Sequence, residues 1–141
     1  MSESEYSRTV KWLSRARELE RRIEARTEQA ERLRQSLLPG AASGGGMPRG
    51  GGADWTDRAA AAIEIERDIA AELRRLRRAR EEIVRAIEDV PDGDQRAVLD
   101  MRYIGGYKFA RIAGRLHYDR TWVWRLHNRG VMAVARMRAR G

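Results

Sequence analysis

The apolar positions of this chain follow helical spacing along two long stretches. In residues 3–38 they recur at steps of four and three, which places them along one face of a helix. This first stripe comprises Trp12, Ala16, Leu19, Ile23, Arg26, Ala30, Leu33 and Leu37, with Arg26 as its polar break. The spacing predicts a helix from Glu3 to Leu38.

A second stripe with the same spacing follows Asp54, which we expect to cap its helix. Its members are Trp55, Ala59, Ala62, Glu66, Ile69, Leu73, Leu76, Arg80, Ile83, Ile87 and Val90. Residues 39–53 between the stripes read PGAASGGGMPRGGGA, a composition typical of a flexible linker. Two amphipathic helices joined in this way predict an antiparallel hairpin, or a coiled coil between chains. Because a two-helix hairpin buries little surface, we expect oligomerisation or packing on the rest of the chain.

The remaining residues predict three shorter helices after a turn at Pro91. The first is Gln95–Ile104 with Asp94 as its cap, and Gly105-Gly106 ends it where a positive φ is easy. The others are Lys108–Leu116 and Arg120–Met137, the latter capped by Asp119. A short helix, a tight turn and a longer cationic helix form the order of a helix-turn-helix. The predicted fold class is therefore all-α, with a long coiled-coil-like hairpin in residues 1–90 and a helix-turn-helix in residues 91–141.

The positive charge is concentrated in the last third of the chain. Residues 1–90 carry 18 basic and 17 acidic side chains, whereas residues 91–141 carry 11 and 4, a net charge of +7. An Arg-rich composition alone explains a basic total but not this segregation. A cationic end on a balanced helical body favours binding to a polyanion, and together with the motif it predicts double-stranded DNA.

The outer face of the last predicted helix supplies the side chains for base recognition. Arginine pairs with the N7 and O6 atoms of guanine, and asparagine pairs with the N7 and N6 atoms of adenine. The predicted base-reading residues are Arg120, Thr121, Trp124, Arg125 and Asn128. We expect contacts to phosphates, which position the module without reading sequence, from Lys108, Arg111, Arg115 and Arg129.

The segment 102–134, RYIGGYKFARIAGRLHYDRTWVWRLHNRGVMAV, resembles region 4 of sigma-70 factors. It is more similar to small phage-encoded late-gene transcription regulators of the ArpU and RinA type from Gram-positive hosts. The matching residues are Arg102-Tyr103-Ile104, Ile112-Ala113, Leu116, Tyr118 and Arg125-Leu126-His127, and the two upstream helices extend the likeness over nearly the whole chain. The resemblance implies a transcription regulator that acts at a promoter, with host RNA polymerase as a further partner.

This chain departs from that family at four positions. The family usually has Ser or Thr where Lys108 stands, Trp in place of Phe109, and Ser in place of Asp119. It also has Ala in place of Gly130, so that a glycine here should loosen the last helix by roughly 1 kcal/mol.

Other functions are less well supported by the sequence. The chain has no cysteine, no apolar run long enough to span a membrane and no signal-like start, so we expect a cytoplasmic protein of a bacterial host cell. Its only histidines, His117 and His127, lack further ligands at metal-binding spacing, so we expect no enzyme activity, cofactor or metal. A small terminase subunit that marks phage DNA for packaging is the main alternative, and a purely structural interaction protein is a third.

Overall fold

The described part of the chain is built from helices. The structure, a computed structural model, describes residues 3–40 and 51–141. No strand occurs in these ranges, which confirms the all-α fold class; most of the predicted linker, residues 41–50, lies outside them. The elements are α1 (Glu5–Leu13), α2 (Arg15–Ser36), α3 (Gly51–Glu88), α4 (Gly93–Leu99), a π-helical turn (Asp100–Ile104), α5 (Phe109–Leu116) and α6 (Arg120–Arg140).

The predicted first helix is divided at Ser14. The hydroxyl of Ser14 donates to the carbonyl oxygen of Val10 at 2.7 Å, and the backbone N–H of Ser14 donates to the same oxygen at 2.9 Å. Such a side-chain bond competes with the helical ladder and bends helices. The first residues therefore form the separate helix α1, whose start is capped by Ser4 through a 3.1 Å bond from the N–H of Ser7.

The helices form two compact units. The terminal unit contains the residues up to Glu18 together with Leu76–Gly141, and the central unit contains the described residues of Leu19–Arg75. This division differs from the predicted boundary at residues 90 and 91. The difference arises because α1 packs against α6, which joins the start of the chain to its end.

In the central unit, α2 and α3 run antiparallel. The Ser36 carbonyl accepts a hydrogen bond from Arg58, whereas the earlier α2 residue Arg26 contacts the later α3 residue Asp68 at 3.2 Å. Residues later in α2 therefore contact residues earlier in α3, as expected for antiparallel helices. Arg26, a predicted break of the first stripe, is therefore used to link the two helices, although exposed ion pairs of this kind stabilise by only ~0–1 kcal/mol.

The buried seam of α3 is shifted by one residue from the predicted stripe at two places. In the central unit, Glu72 is buried and Leu73 is half-exposed, and in the terminal unit Ala79 is buried and Arg80 is exposed. The prediction that Leu73 faces inward is wrong, whereas Arg80, a polar interruption of the stripe, is exposed. The seam follows the small side chain of Ala79, and Arg80 lies on the exposed side of the helix.

Two of the predicted helix starts are corrected. The helix that was predicted to follow Asp54 is α3, and it begins at Gly51. Asp54 therefore lies in the first turn of α3 rather than capping it. The cap of α4 is Asp92 and not Asp94, because the Asp92 carboxylate accepts from the backbone N–H of Gln95 at 2.9 Å. Asp119 occupies the predicted cap position of α6, but its side chain makes no capping hydrogen bond.

The core of the terminal unit unites α4, α5 and α6. It consists of the buried residues Val98, Ile112, Ala113, Val123 and Leu126, with Met101, Tyr107, Phe109 and Leu116 packed around them. The apolar sides of α5 and α6 are thus buried together. This packing fixes one side of α6 and leaves the other side to solvent.

Gly130 lies where α6 approaches α4. A Cβ atom at this position would lie 2.9 Å from Cδ1 of Leu99 and 3.4 Å from Cβ of Gln95, and Leu99 is itself fully buried. The glycine that was expected to loosen α6 therefore permits a close helix contact, and there is no space for the alanine of the resembling family.

We expect Gly130→Ala to lower the free energy of unfolding by about 1 kcal/mol, because overpacking of the core outweighs the gain in helix propensity. The matched control is Gly114→Ala in α5, where no atom lies within 4 Å of the added Cβ, and we expect it to stabilise by up to ~1 kcal/mol. Chemical denaturation of both variants measures the difference. Equal stabilisation by the two substitutions would contradict the close contact.

Candidate nucleic-acid interface

The predicted base-reading residues share the outer face at the start of α6. The side chains of Arg120, Thr121, Trp124 and Arg125 are exposed, whereas Asn128 is half-buried. The intervening residues Val123 and Leu126 belong to the core, which fixes the direction of this face. Four of the five predicted side chains are thus accessible together over the first turns of one helix.

The predicted phosphate-contacting residues are exposed, and three of them lie against aromatic rings. The guanidinium groups of Arg111 and Arg115 lie 4.1 and 5.5 Å from the ring centre of Tyr107, which is half-buried beneath them. Arg129 lies 5.5 Å from the ring of Trp122. Such cation–π contacts limit side-chain freedom while the charge stays accessible.

The cations of this surface have no acidic partners. Within the residues that the structure describes, Lys108, Arg111, Arg115, Arg120, Arg125 and Arg129 form no ion pair with a carboxylate. In the central unit, by comparison, four of the arginines, Arg26, Arg34, Arg58 and Arg75, each lie against an aspartate or glutamate. The α5–α6 surface therefore carries six basic side chains without a carboxylate partner among the described residues, and it can attract an anion.

The Trp124 ring connects the exposed face to the buried side of α6. It stacks on the His127 ring with 5.4 Å between centroids and 16° between planes, and Phe109 meets its edge at 5.2 Å. About half of its surface is still exposed, at 48%. Trp124 is therefore held in one orientation and is able to present a rigid apolar surface to a partner.

A buried hydrogen-bond network lies directly behind this face. His127 is 3% exposed, and its Nε2 lies 2.6 Å from the hydroxyl of Tyr103. Its Nδ1 lies 3.0 Å from Oδ1 of Asn128, which also accepts from the hydroxyl of Tyr6 at 2.7 Å. The network joins α1, the π-helical turn and α6.

The chemistry of these groups sets the direction of each bond. Because an amide oxygen can only accept, Nδ1 of His127 carries the proton and Nε2 accepts from Tyr103. Burial raises the pKa of the Tyr103 hydroxyl far above its ordinary value, which keeps it a donor. Burial lowers the pKa of His127, more than the Asn128 hydrogen bond raises it, so the ring is neutral at pH 7.

Sequence patterns predicted no role for Tyr6 or Tyr107 in this region, and Tyr103 was named only for its likeness to sigma region 4. The sequence does contain a pattern for the inward face of α1, because Tyr6, Thr9, Leu13 and Ala16 follow helical steps of three, four and three. The polar Thr9 concealed it, although this residue is buried with its hydroxyl donating to the Glu5 carbonyl at 2.8 Å.

Comparison of the chain with protein-family models, curated proteins and solved structures finds no match. The likeness to sigma region 4 therefore stays a prediction. None of the helices in the described ranges is long and apolar enough to cross a bilayer. No group of three or more histidine, aspartate or glutamate side chains suited to a metal ion occurs in residues 3–40 and 51–141.

We expect the buried, neutral His127 to make stability depend on pH. Its folded-state pKa lies below the ordinary value of 6.5, so below about pH 6.5 the unfolded state binds the proton more readily. The stabilising contribution is therefore present above that pH and is lost as the pH falls towards the folded-state pKa. Unfolding free energies of wild type and His127→Gln from pH 7.5 to 5 measure it.

The difference in stability between wild type and His127→Gln should shrink as the solution is acidified. The carboxylates common to both proteins cancel in this difference. A difference that is constant over the whole range would contradict the buried neutral ring.

Proposed function

We propose that the chain binds double-stranded DNA through the outer face of α6 and acts as a transcription regulator at a promoter. The observation that carries the proposal is the surface of six exposed basic side chains on α5 and α6, none paired with a carboxylate in the described residues. Attraction to phosphates supplies most of the sequence-independent affinity of such proteins.

The shape of the surface supports a duplex as the partner. A single helix that is anchored on one side and cationic on the other fits the major groove, which admits one α-helix. The three-residue connection 117–119 places α5 directly before α6, so that the cations of α5 lie beside those of α6. In this arrangement Arg120 and Arg125 reach base edges, and Lys108, Arg111 and Arg115 contact the backbone.

The regulatory part of the proposal rests on the resemblance to sigma region 4. If the chain acts as a sigma region 4-like regulator, host RNA polymerase is a second partner. Trp122, which is exposed beside Arg129, is then available to it.

A pair of variants separates base recognition from phosphate contact. We expect Arg125→Ala to weaken binding to a selected site by ~1–3 kcal/mol with little effect on random duplex. We expect Arg111→Ala to weaken both equally and to reduce the slope of log affinity against log salt by about one unit. Fluorescence anisotropy at several salt concentrations measures both quantities.

The matched control is Arg77→Ala, which removes an exposed arginine of α3 that lies 3.5 Å from Glu81. It should leave affinity and salt slope unchanged. Equal losses on selected and random DNA for Arg125→Ala would contradict base recognition, and an unchanged slope for Arg111→Ala would contradict the phosphate contact.

The second part of the proposal is self-association through the central unit. Three large apolar side chains of α3 are about half exposed there, with Trp55 at 50%, Ile63 at 49% and Leu73 at 48%. Asp57 lies near the start of this part of α3 and Arg74 near its end, and neither forms an ion pair among the described residues. An antiparallel second copy covers the apolar side chains and places the acidic start of each helix opposite the basic end of the other.

We expect the double variant Ile63→Asp, Leu73→Asp to convert an oligomer into a monomer, because it places charges in the apolar contact. Sedimentation equilibrium measures the mass, and circular dichroism checks that the helix content is kept. The control is Ala25→Asp at an exposed position of α2. A monomeric wild type, or an oligomeric double variant, would contradict this contact.

A further inference from the structure

The hydrogen bonds that the Asn128 amide already makes within the protein limit which DNA base it can contact. Both lone pairs of its Oδ1 are used inside the protein, one by the Tyr6 hydroxyl at 2.7 Å and one by Nδ1 of His127 at 3.0 Å. Its amide nitrogen makes no hydrogen bond within the residues that the structure describes. The side chain therefore offers donors outward and no acceptor.

This pattern does not suit the adenine contact that the sequence predicted. Adenine presents one acceptor, N7, and one donor, N6, in the major groove, so a bidentate contact needs a free amide oxygen. Guanine presents two acceptors, N7 and O6, and accepts from N–H groups alone. With Oδ1 occupied, the amide complements guanine better than adenine.

The two groups that donate to Oδ1 of Asn128 come from different parts of the chain. His127 is the neighbour of Asn128 in α6, but Tyr6 lies 122 residues away, in α1. The Tyr6 hydroxyl is partly buried, and burial raises its pKa, so it stays protonated and donating. The first helix therefore controls one lone pair of a side chain on the proposed recognition face.

We propose that Tyr6 is a positioning residue for base selectivity: by holding Oδ1 of Asn128 it directs this side chain to guanine rather than adenine. The inference rests on the proposed binding of double-stranded DNA. It assigns the helix α1 a part in recognition although α1 does not itself belong to the DNA-facing surface.

Selection of bound duplexes from a random-sequence pool tests the inference. Wild type, Asn128→Ala, Tyr6→Phe and the double variant Tyr6→Phe, Asn128→Ala are compared at one salt concentration. Asn128→Ala identifies the base pair that this side chain reads, as the position whose preference it abolishes. At that position the wild type should prefer guanine, and Tyr6→Phe should raise adenine relative to guanine by about fivefold, the lower end for one base contact.

The readout is a change of base and not a loss of affinity, so a merely structural role of Tyr6 does not produce it. The double variant should lose the adenine gain, because that gain acts through Asn128. The control is Thr9→Val, which removes a different hydroxyl of α1, one that donates to the Glu5 carbonyl at 2.8 Å, and it should leave this position unchanged.

The outcomes separate the two proposals. A wild type that enriches a sequence but prefers adenine at the Asn128 position, or whose preference Tyr6→Phe leaves unchanged, overturns the role of Tyr6 and leaves DNA binding intact. A wild type that enriches no sequence contradicts sequence-specific binding, and the role of Tyr6 is overturned with it.

Discussion

The burial of one side of α6 is the constraint on which the terminal unit depends. Val123, Leu126 and Val131 are buried with α4, α5 and α1 around them, and Gly130 allows α4 to come close. His127 adds the one polar group on this side, and its two ring nitrogens are both hydrogen-bonded. Because burying an unpartnered imidazole is costly, the Tyr103 and Asn128 partners are a condition of this packing.

The outer side of the same helix follows from this anchoring. With its apolar residues committed to the core, α6 exposes arginines and Trp124 in a fixed direction. The central unit differs, since four of its arginines lie against carboxylates and three large apolar side chains of α3, Trp55, Ile63 and Leu73, are about half exposed. The two units thus differ in their surfaces: the terminal unit exposes basic side chains of α5 and α6, and the central unit exposes large apolar side chains of α3.

Much of the fold could be predicted from local signals. Helical spacing predicted the all-α class, and α5 and α6 begin within one residue of their predicted starts. The predicted positive φ at the glycine pair is confirmed at Gly106, with φ of +73°. These features depend on residues close in sequence, which is why pattern alone could locate them.

The tertiary contacts were beyond the same reasoning. The packing of α1 on α6 and the hydrogen bond between Tyr6 and Asn128 both depend on residues far apart in the chain. The pattern of the outer α6 face was sufficient to nominate Asn128, but not to show that its amide oxygen is occupied. Helical spacing also gave no reason to expect a buried carboxylate at Glu72, whose Oε2 has no hydrogen-bond partner among the described residues.

The most direct test of the central claim is chemical-shift mapping of the ¹⁵N-labelled chain during titration with a duplex at low salt. We predict that the shifted amides cluster in α5 and the first half of α6, around Lys108, Arg111, Arg120 and Arg125, and that α2 is unaffected. The absence of any shift at low salt, or shifts confined to α2 and the start of α3, would contradict the assignment of the DNA-binding surface to α6.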